Sequence, residues 1–149
     1  MTPRPLVYLV RHAEAEREPA HDDAARPLSE EGRARFRDHA RDLAREIRIA
    51  RILTSPYRRA RETADLLAAA TGAAVEAERR LAAGTCGGRD LLSLARSLGG
   101  GVALVGHNPE VAEAVLIAAG EAVEVKPGTV AAVEVEGEAV RLVWARRAP

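Results

Sequence analysis

Residues 6–14, with the sequence LVYLVRHAE, constrain the fold of this chain more than any other stretch. The five apolar residues at its start do not alternate with polar ones, which is typical of a strand buried on both faces in a parallel α/β sheet. The run stops abruptly at Arg11 and His12. Ligands in such sheets bind beyond the carboxyl ends of the strands, so we expect both residues at the edge of a site. A histidine in this position can act as a nucleophile, a base or a metal ligand.

Two later strands are predicted to end in residues of a similar kind. A short strand at 49–53 is followed by Ser55 and by a helix that carries Arg59 in its first turn. Another buried strand at 102–105 leads through a glycine to His107. Because the carboxyl ends of parallel strands meet at one edge of a sheet, these residues are predicted to share a crevice with the first pair.

Helical periodicity fills the segments between these strands. Apolar residues recur at helical spacing over about 29–47, and Ser29 precedes two acidic residues, as at a helix N-terminus. This helix follows a polar loop at 14–26, and His39 falls on its polar side, where we expect a surface residue. A second helix is predicted to end at Gly72. Further helices are expected after the glycine-rich loop at 83–88 and after Pro109.

The last part of the chain differs from the rest in its pattern. Residues 133–136 alternate between apolar and acidic side chains, Gly137 provides a turn, and an apolar strand returns over 140–144. This pattern predicts a β-hairpin. Together with the alternating strands and helices, it predicts an α/β fold: a three-layer αβα sandwich whose mostly parallel sheet carries the hairpin at its edge. We expect a single domain over residues 1–149.

Composition narrows the possible partners. The 22 basic and 22 acidic residues balance, so no global positive charge favours nucleic acid or an anionic membrane, and we expect neither as a partner. Cys86 is the single cysteine, which excludes an internal disulfide and a cysteine-rich zinc site. No metal or other cofactor is expected. Without a bilayer-length apolar segment or a signal-peptide pattern, the expected location is the cytoplasm.

The predicted crevice has the chemistry of an anion site. It combines two histidines, at least two arginines and helix N-termini, a set that favours a doubly charged oxyanion such as phosphate. Nothing matches the glycine-rich P-loop pattern, so nucleotide hydrolysis of that type is not expected.

The motifs as a set resemble the histidine phosphatase superfamily, which includes phosphoglycerate mutases and many phosphatases. They are Arg11-His12 after the first strand, the segment SPYRRARET at 55–63, and Gly106-His107 after a late strand. Within that superfamily, the short chain, the segment RPLSEEG at 26–32 and the segment GHNP at 106–109 resemble SixA-type phosphohistidine phosphatases. The resemblance runs from about residue 6 to residue 110 and so covers most of the chain.

The resemblance implies a role for each catalytic candidate. His12 would attack phosphorus in line and become a phosphohistidine, which water then hydrolyses. Arg11, Arg59 and His107 would hold the phosphate oxygens and stabilise the charge of the transition state. Arg26 resembles an arginine near the phosphate in the SixA group, with a plain loop charge as the alternative, and Ser55 is a second candidate for substrate binding. Two guanidiniums nearby would lower the pKa of the His12 imidazole.

Two features depart from the wider superfamily. Ala13 stands where the family usually has glycine, and its methyl group could crowd the phosphate. Larger members protonate the leaving group with a glutamate that follows the third strand, whereas no glutamate of residues 76–84 falls clearly on that position. The alternatives that remain for this general acid are Glu78, Asp90 or no residue of the chain. An imidazole leaving group needs less help than an alkoxide, because its second nitrogen is protonated near neutral pH.

These observations favour a phosphatase that removes phosphate from phosphohistidine on a signalling or phosphotransfer protein. A phosphatase of small phosphoesters, such as sugar or nucleoside phosphates, and a phosphate-binding module without turnover remain as alternatives. Residues 12–14 match the H-x-E pattern of zinc deaminases, but that site also needs a P-C-x-x-C segment. Cys86 is the single cysteine, so a zinc deaminase is excluded.

Overall fold

A computed structural model of the chain describes residues 5–17 and 22–149. Residues 18–21 of the predicted polar loop therefore lie outside the described part. The strands and helices, in chain order, are β1 Leu6–Arg11, α1 Glu30–Ala44, β2 Arg51–Thr54, α2 Arg58–Thr71, β3 Ala74–Ala77, α3 Gly88–Leu98, β4 Val102–Gly106, α4 Glu110–Ala119, β5 Val130–Glu136 and β6 Ala139–Arg146. Single 3₁₀ turns at Asp23–Ala25 and Arg79–Leu81 complete the regular structure.

The strands form one sheet in the order β3-β2-β4-β1-β5-β6. The four strands from β3 to β1 run parallel, whereas β5 pairs antiparallel with β1 and β6 pairs antiparallel with β5. The predicted fold class is confirmed: the sheet is mostly parallel and ends in a C-terminal hairpin. The hairpin strands are longer than the alternating pattern indicated, because β5 begins in a buried apolar stretch that does not alternate.

Two apolar cores lie on the two faces of the sheet, and β1 contributes to both. Val7 and Leu9 pack in the core that includes buried residues of α3 and α4. Tyr8 and Val10 pack in the core that includes buried residues of α1 and α2. Burial on both faces explains why the first strand has no polar alternation, as the sequence indicated.

The ends of the first two helices follow from local chemistry. The Ser29 hydroxyl accepts a hydrogen bond from the N–H of Gly32 at 3.0 Å, which caps α1 as predicted. Gly72 ends α2 in the left-handed conformation at φ 80°, also as predicted. Helix α1 ends at Ala44 rather than near residue 47, although Ile47 still donates to the Leu43 carbonyl at 2.9 Å. Ile47 is buried, so its apolar character extends the periodic signal beyond the helix.

The surface position predicted for His39 is wrong. The side chain is buried and lies 6.0 Å from the Phe36 ring in an edge-on contact. Burial lowers the pKa of His39, and a hydrogen bond with the backbone of Arg146 acts in the opposite direction. The last strand therefore covers a flank of α1 that the helical pattern alone assigns to solvent.

None of the helices within residues 5–17 and 22–149 has the length and apolar character needed to cross a membrane.

Candidate active site

Three neighbouring strands end together at the candidate site. Strand β4 lies between β1 and β2, and the N–H of His12 donates to the Gly106 carbonyl at 3.0 Å. The imidazole rings of His12 and His107 consequently lie with their centroids 5.2 Å apart. The structure thus brings together residues that are 95 positions apart in the chain, at the edge of the sheet where ligands bind in this class of fold.

The His12 ring is held in one tautomer by the backbone of the next residue. Its Nδ1 lies 2.7 Å from the Ala13 carbonyl oxygen, and because a carbonyl only accepts, Nδ1 carries the proton. The lone pair of neutral His12 is therefore on Nε2. Burial lowers the pKa of His12 to about 3, the bond to the Ala13 carbonyl opposes this shift, and the positive charges of His107, Arg59 and Arg11 add to it. The guanidiniums expected to keep His12 neutral do contribute, but burial is the larger cause.

His107 is fixed by Ser55 and Tyr57. Its Nε2 lies 2.8 Å from the Ser55 hydroxyl, which also accepts the N–H of Tyr57 at 3.1 Å. The Tyr57 ring packs edge-on against the imidazole with 4.9 Å between centroids. Burial lowers the pKa of His107 to about 4, the charge of Arg59 adds to this shift and Asp23 opposes it.

Arg59 enters the site from the first turn of α2 and is almost fully buried. Its carbonyl accepts the hydroxyl of Thr63 at 2.8 Å, and the same hydroxyl accepts the N–H of Ala13 at 3.0 Å. One threonine therefore joins the turn that carries Arg59 to the residue that follows His12. Arg58, by contrast, is exposed and pairs with Glu62 at 2.9 Å.

Arg11, the last residue of β1, is held by a backbone carbonyl. Its Nη1 donates to the Val125 carbonyl at 2.9 Å, and Asn108 Nδ2 donates to the same oxygen at 3.0 Å. Burial lowers the pKa of the Arg11 guanidinium. The residue that precedes the nucleophile candidate is thus tied to the loop before β5 through a carbonyl that Asn108 shares.

Several buried polar atoms of the site have no hydrogen-bond partner. Among the described residues, five buried side-chain nitrogen or oxygen atoms are in this condition, and three of them are Arg11 Nε, Arg59 Nε and His107 Nδ1. Both guanidinium nitrogens are donors, and His107 Nδ1 is a donor when the Ser55 hydroxyl donates to Nε2. Buried donors normally have partners, so three unsatisfied ones beside His12 favour a ligand rich in acceptor oxygens.

The two candidates for substrate binding, Arg26 and Ser55, have different surroundings. Arg26 lies partly exposed on the loop, where its Nε donates to the Glu16 carbonyl at 2.8 Å and its Nη1 donates to Asp23 at 2.9 Å. Ser55 is fully buried, with its hydroxyl on His107 and the Tyr57 N–H. Substrate binding by either residue stays a prediction, and the contacts found for Ser55 support His107.

Sequence reasoning missed three residues that hold the site together. Thr63 was visible only as the last residue of a motif, and Asn108 only as part of the GHNP segment; its Oδ1 also accepts the N–H of Ala112 at 3.2 Å. Asp23 was one acid of a polar loop, yet its carboxylate lies 3.1 Å from Arg59 Nη2. Only the fold reveals these contacts, because each joins segments far apart in sequence.

Crowding of the phosphate by the Ala13 methyl group stays a prediction, and the structure shows where that side chain packs. The residue is buried in the core that includes Phe36 and Leu28. Its backbone supplies the functional contacts: the N–H bonds Thr63, and the carbonyl accepts from His12. The core contacts give the methyl group a packing role on the α1 side of the sheet.

Both carboxylates considered as general acids have other partners. Glu78 accepts the backbone N–H of Arg80 at 3.1 Å and pairs with its side chain at 2.9 Å. These bonds to Arg80 lower the pKa of Glu78. Asp90 accepts the N–H of Gly87 at 2.9 Å, at the start of α3. A carboxylate held ionised by an arginine is poorly suited to donate a proton. No group of three or more histidine, cysteine or acidic side chains in the described ranges is arranged to hold a metal ion.

Comparison with known proteins places this geometry in a family. The model of the histidine phosphatase superfamily (branch 1) matches residues 7–108. The structure of the protein histidine phosphatase SixA complexed with tungstate superposes with a TM-score of 0.85 at 22% identity, covering 95% of this chain and 96% of that one. A candidate phosphohistidine phosphatase SixA from Agrobacterium tumefaciens gives 0.82 at 27% identity, with coverage of 96% and 97%.

Relatives that act on small molecules share the fold as well. A mycobacterial glucosyl-3-phosphoglycerate phosphatase superposes with a TM-score of 0.66 at 16% identity, covering 95% of this chain and 98% of that one. No curated protein sequence matches this chain. The family match spans more than half of the chain and includes the ends of β1, β2 and β4, which meet at the site. The chain is a member of the histidine phosphatase superfamily, branch 1.

Proposed function

We propose that this protein is a phosphatase that removes phosphate from phosphohistidine on a signalling or phosphotransfer protein. His12 acts as the nucleophile. Its Nε2 lone pair attacks phosphorus, and the bond between phosphorus and the leaving nitrogen breaks as the new one forms. Water then attacks the phosphohistidine on His12 and releases inorganic phosphate, which returns the imidazole to its starting form.

The arginines and the second histidine stabilise the transferring group. Arg11, Arg59 and His107 offer the three buried, unsatisfied nitrogens described above, which suits three oxygens that share developing charge. The proton on His12 Nδ1 is held by the Ala13 carbonyl at 2.7 Å, so the ring stays oriented as charge develops on it. Tungstate in the SixA relative is a tetrahedral oxyanion, and its presence in that protein supports an oxyanion site for this chain as well.

One observation carries the choice of substrate. Glu78 is paired with Arg80 and Asp90 with the start of α3, so neither candidate acid is free to protonate a leaving group. Without such an acid, the departure of an alkoxide is typically slower by a factor of about 10²–10⁴. An imidazole has a reference pKa of about 6.5 and can accept a proton from solvent. The site therefore favours a nitrogen leaving group.

A small phosphoester is the second candidate substrate. Its support is the fold shared with the mycobacterial glucosyl-3-phosphoglycerate phosphatase. Under this alternative, a proton donor other than Glu78 or Asp90 would have to serve the leaving oxygen.

The test compares phosphate release from two kinds of substrate with chelator present. The first is a phosphotransfer domain phosphorylated on histidine, and the second is a panel of sugar, nucleoside and aryl phosphates. His12→Ala should abolish release, Arg59→Ala should lower kcat/KM by about 10²-fold or more, and Arg58→Ala, its exposed neighbour, should have little effect.

The relative rates of phosphate release decide between the two candidate substrates. Faster release from the phosphohistidine domain than from every ester supports the proposal. A preference for one ester contradicts the argument from the engaged carboxylates and favours the second candidate. Tight binding of vanadate without release from any substrate would leave a phosphate-binding module, and loss of activity on chelation would contradict a mechanism carried by these side chains alone.

A further inference from the structure

The carboxylate of Asp23 joins two arginines at the mouth of the site. Its Oδ2 accepts from Arg59 Nη2 at 3.1 Å and its Oδ1 accepts from Arg26 Nη1 at 2.9 Å. The backbone carbonyl of Asp23 also accepts from Arg59 Nη1 at 2.7 Å. One loop residue therefore contacts both terminal nitrogens of the buried arginine.

These contacts leave a defined part of the Arg59 guanidinium free. An arginine has five N–H donors in a planar fork, and Asp23 takes one from each terminal nitrogen. The Nε, which is buried, has no partner. The side chain of Asp23 is 58% exposed and that of Arg59 only 7%, so the carboxylate lies on the solvent side of the fork. Asp23 thus holds Arg59 by its two terminal nitrogens and leaves the buried Nε edge without a protein partner.

The turn that carries Asp23 is itself anchored on both sides. Asp22 accepts the N–H of Ala24 at 3.0 Å, which caps the 3₁₀ turn. After the turn, the Leu28 N–H donates to Glu62 of α2 at 2.8 Å. Because Glu62 and Arg59 belong to the same helix, the loop is fastened to the element that it must align.

We propose that Asp23 is a positioning residue that sets the Arg59 guanidinium with its Nε edge toward the substrate phosphate and keeps Arg26 beside it. The proposal rests on the proposed function of the site, since it assigns how that site receives phosphate. Arg26 then acts through the shared carboxylate, which explains why a partly exposed loop arginine lies next to the buried one.

If Asp23 blocked the site instead of positioning Arg59, its removal would change the affinity for anions in the opposite direction. If the carboxylate only occupied the place of the phosphate, its removal would free Arg59 and tighten anion binding. Removal of a negative charge near the site would also tighten binding by simple Coulomb attraction, since Asp23 is close enough to raise the pKa of His107. Positioning predicts weaker binding in spite of that attraction, so the direction of the change separates the two roles.

The experiment measures vanadate binding by calorimetry and phosphate release with two substrates, the phosphohistidine domain and an aryl phosphate. Asp23→Ala should raise the Kd for vanadate roughly tenfold, the size expected for a partly exposed charged contact, and should raise KM more than it lowers kcat. Asp23→Asn, which keeps an acceptor oxygen, should fall between the parent and Asp23→Ala. Asp22→Asn is the matched control: it removes the neighbouring charge, retains the cap and should leave Kd within about twofold.

The outcomes distinguish this proposal from the function on which it rests. Vanadate binding by Asp23→Ala that is as tight as, or tighter than, that of the parent overturns positioning while the phosphatase assignment stands. A folded parent that neither binds vanadate nor releases phosphate overturns both. Equal losses in Asp22→Asn and Asp23→Ala would trace the effect to the turn as a whole and would also overturn a specific role for Asp23.

Discussion

Replacement of His12 by glutamine should make the folded protein less sensitive to acid. In the unfolded chain a histidine titrates with a pKa of about 6.5, whereas burial lowers the pKa of His12 in the folded protein to about 3. Between these values the unfolded chain holds a proton that the folded protein does not. The free energy of unfolding contributed by this site is therefore complete above pH 6.5 and is lost as the pH falls toward 3.

The magnitude follows from the size of that gap. Each pH unit below 6.5 removes about 1.4 kcal/mol, so His12 alone should lower the free energy of unfolding by about 2 kcal/mol between pH 8 and pH 5. A loss of this size is a substantial part of the stability of an ordinary domain. His107 should act in the same direction, since its pKa is also lowered, to about 4.

The assay is urea unfolding at pH 8, 7, 6 and 5 in a buffer without phosphate. The quantity compared is the change of unfolding free energy with pH, so a uniform destabilisation by the substitution does not matter. Glutamine does not titrate, and His12→Gln should therefore remove about 2 kcal/mol from the change between pH 8 and pH 5.

Equal pH dependence in the parent and in His12→Gln, within about 0.5 kcal/mol, would refute the reasoning. It would mean that His12 titrates near its ordinary pKa in the folded protein. The proposed nucleophile would then be largely protonated at mildly acidic pH, and its neutrality could not be ascribed to burial.

Two further substitutions test the supports of the site and of the fold. Ser55→Ala removes the hydroxyl 2.8 Å from His107 Nε2, and we expect kcat/KM in the phosphohistidine assay to fall about tenfold without loss of folding; an unchanged value would show that His107 needs no such support. Gly88→Ala would place a Cβ 2.6 Å from the backbone nitrogen of Ala114 and should lower the free energy of unfolding by about 1–3 kcal/mol. Gly87→Ala is the control, because the atom nearest to its new Cβ would be 3.7 Å away. Thermal unfolding of both variants checks this, and equal losses would contradict the close approach of α3 to α4.

The sequence was most informative where local pattern and tertiary role coincide. The LVYLV run of β1 predicted a doubly buried strand because each of its faces packs in one of the two cores. The positions of the two histidines, Arg11 and Arg59 could be predicted because each lies at or soon after the end of a strand, and strand ends of a parallel sheet converge. The family resemblance also indicated Arg59, which the structure buries, whereas the neighbouring Arg58 is exposed.

The features that escaped prediction depend on contacts between distant segments. Asp23 lies 36 positions before Arg59, and nothing in the loop sequence indicates that its carboxylate meets that arginine. His39 occupies the polar side of α1 by periodicity, but the C-terminal strand covers it. The burial that dominates the pKa of His12 is likewise a property of the assembled sheet, so only the smaller contribution of the arginines could be expected from the motif.

The central place of β1 in the sheet has a consequence for synthesis of the chain. Its partners are β4, which begins at Val102, and β5, which begins at Val130, so the first strand to be made has no neighbour until most of the chain exists. Contacts of such long range slow folding and leave apolar strands exposed meanwhile. The LVYLV segment is then open to pairing with other chains, and Pro5 and Arg11 at its two ends are the kinds of residue that oppose such pairing. The strand that leads to the proposed nucleophile is thus also the one that waits longest for its partners in the sheet.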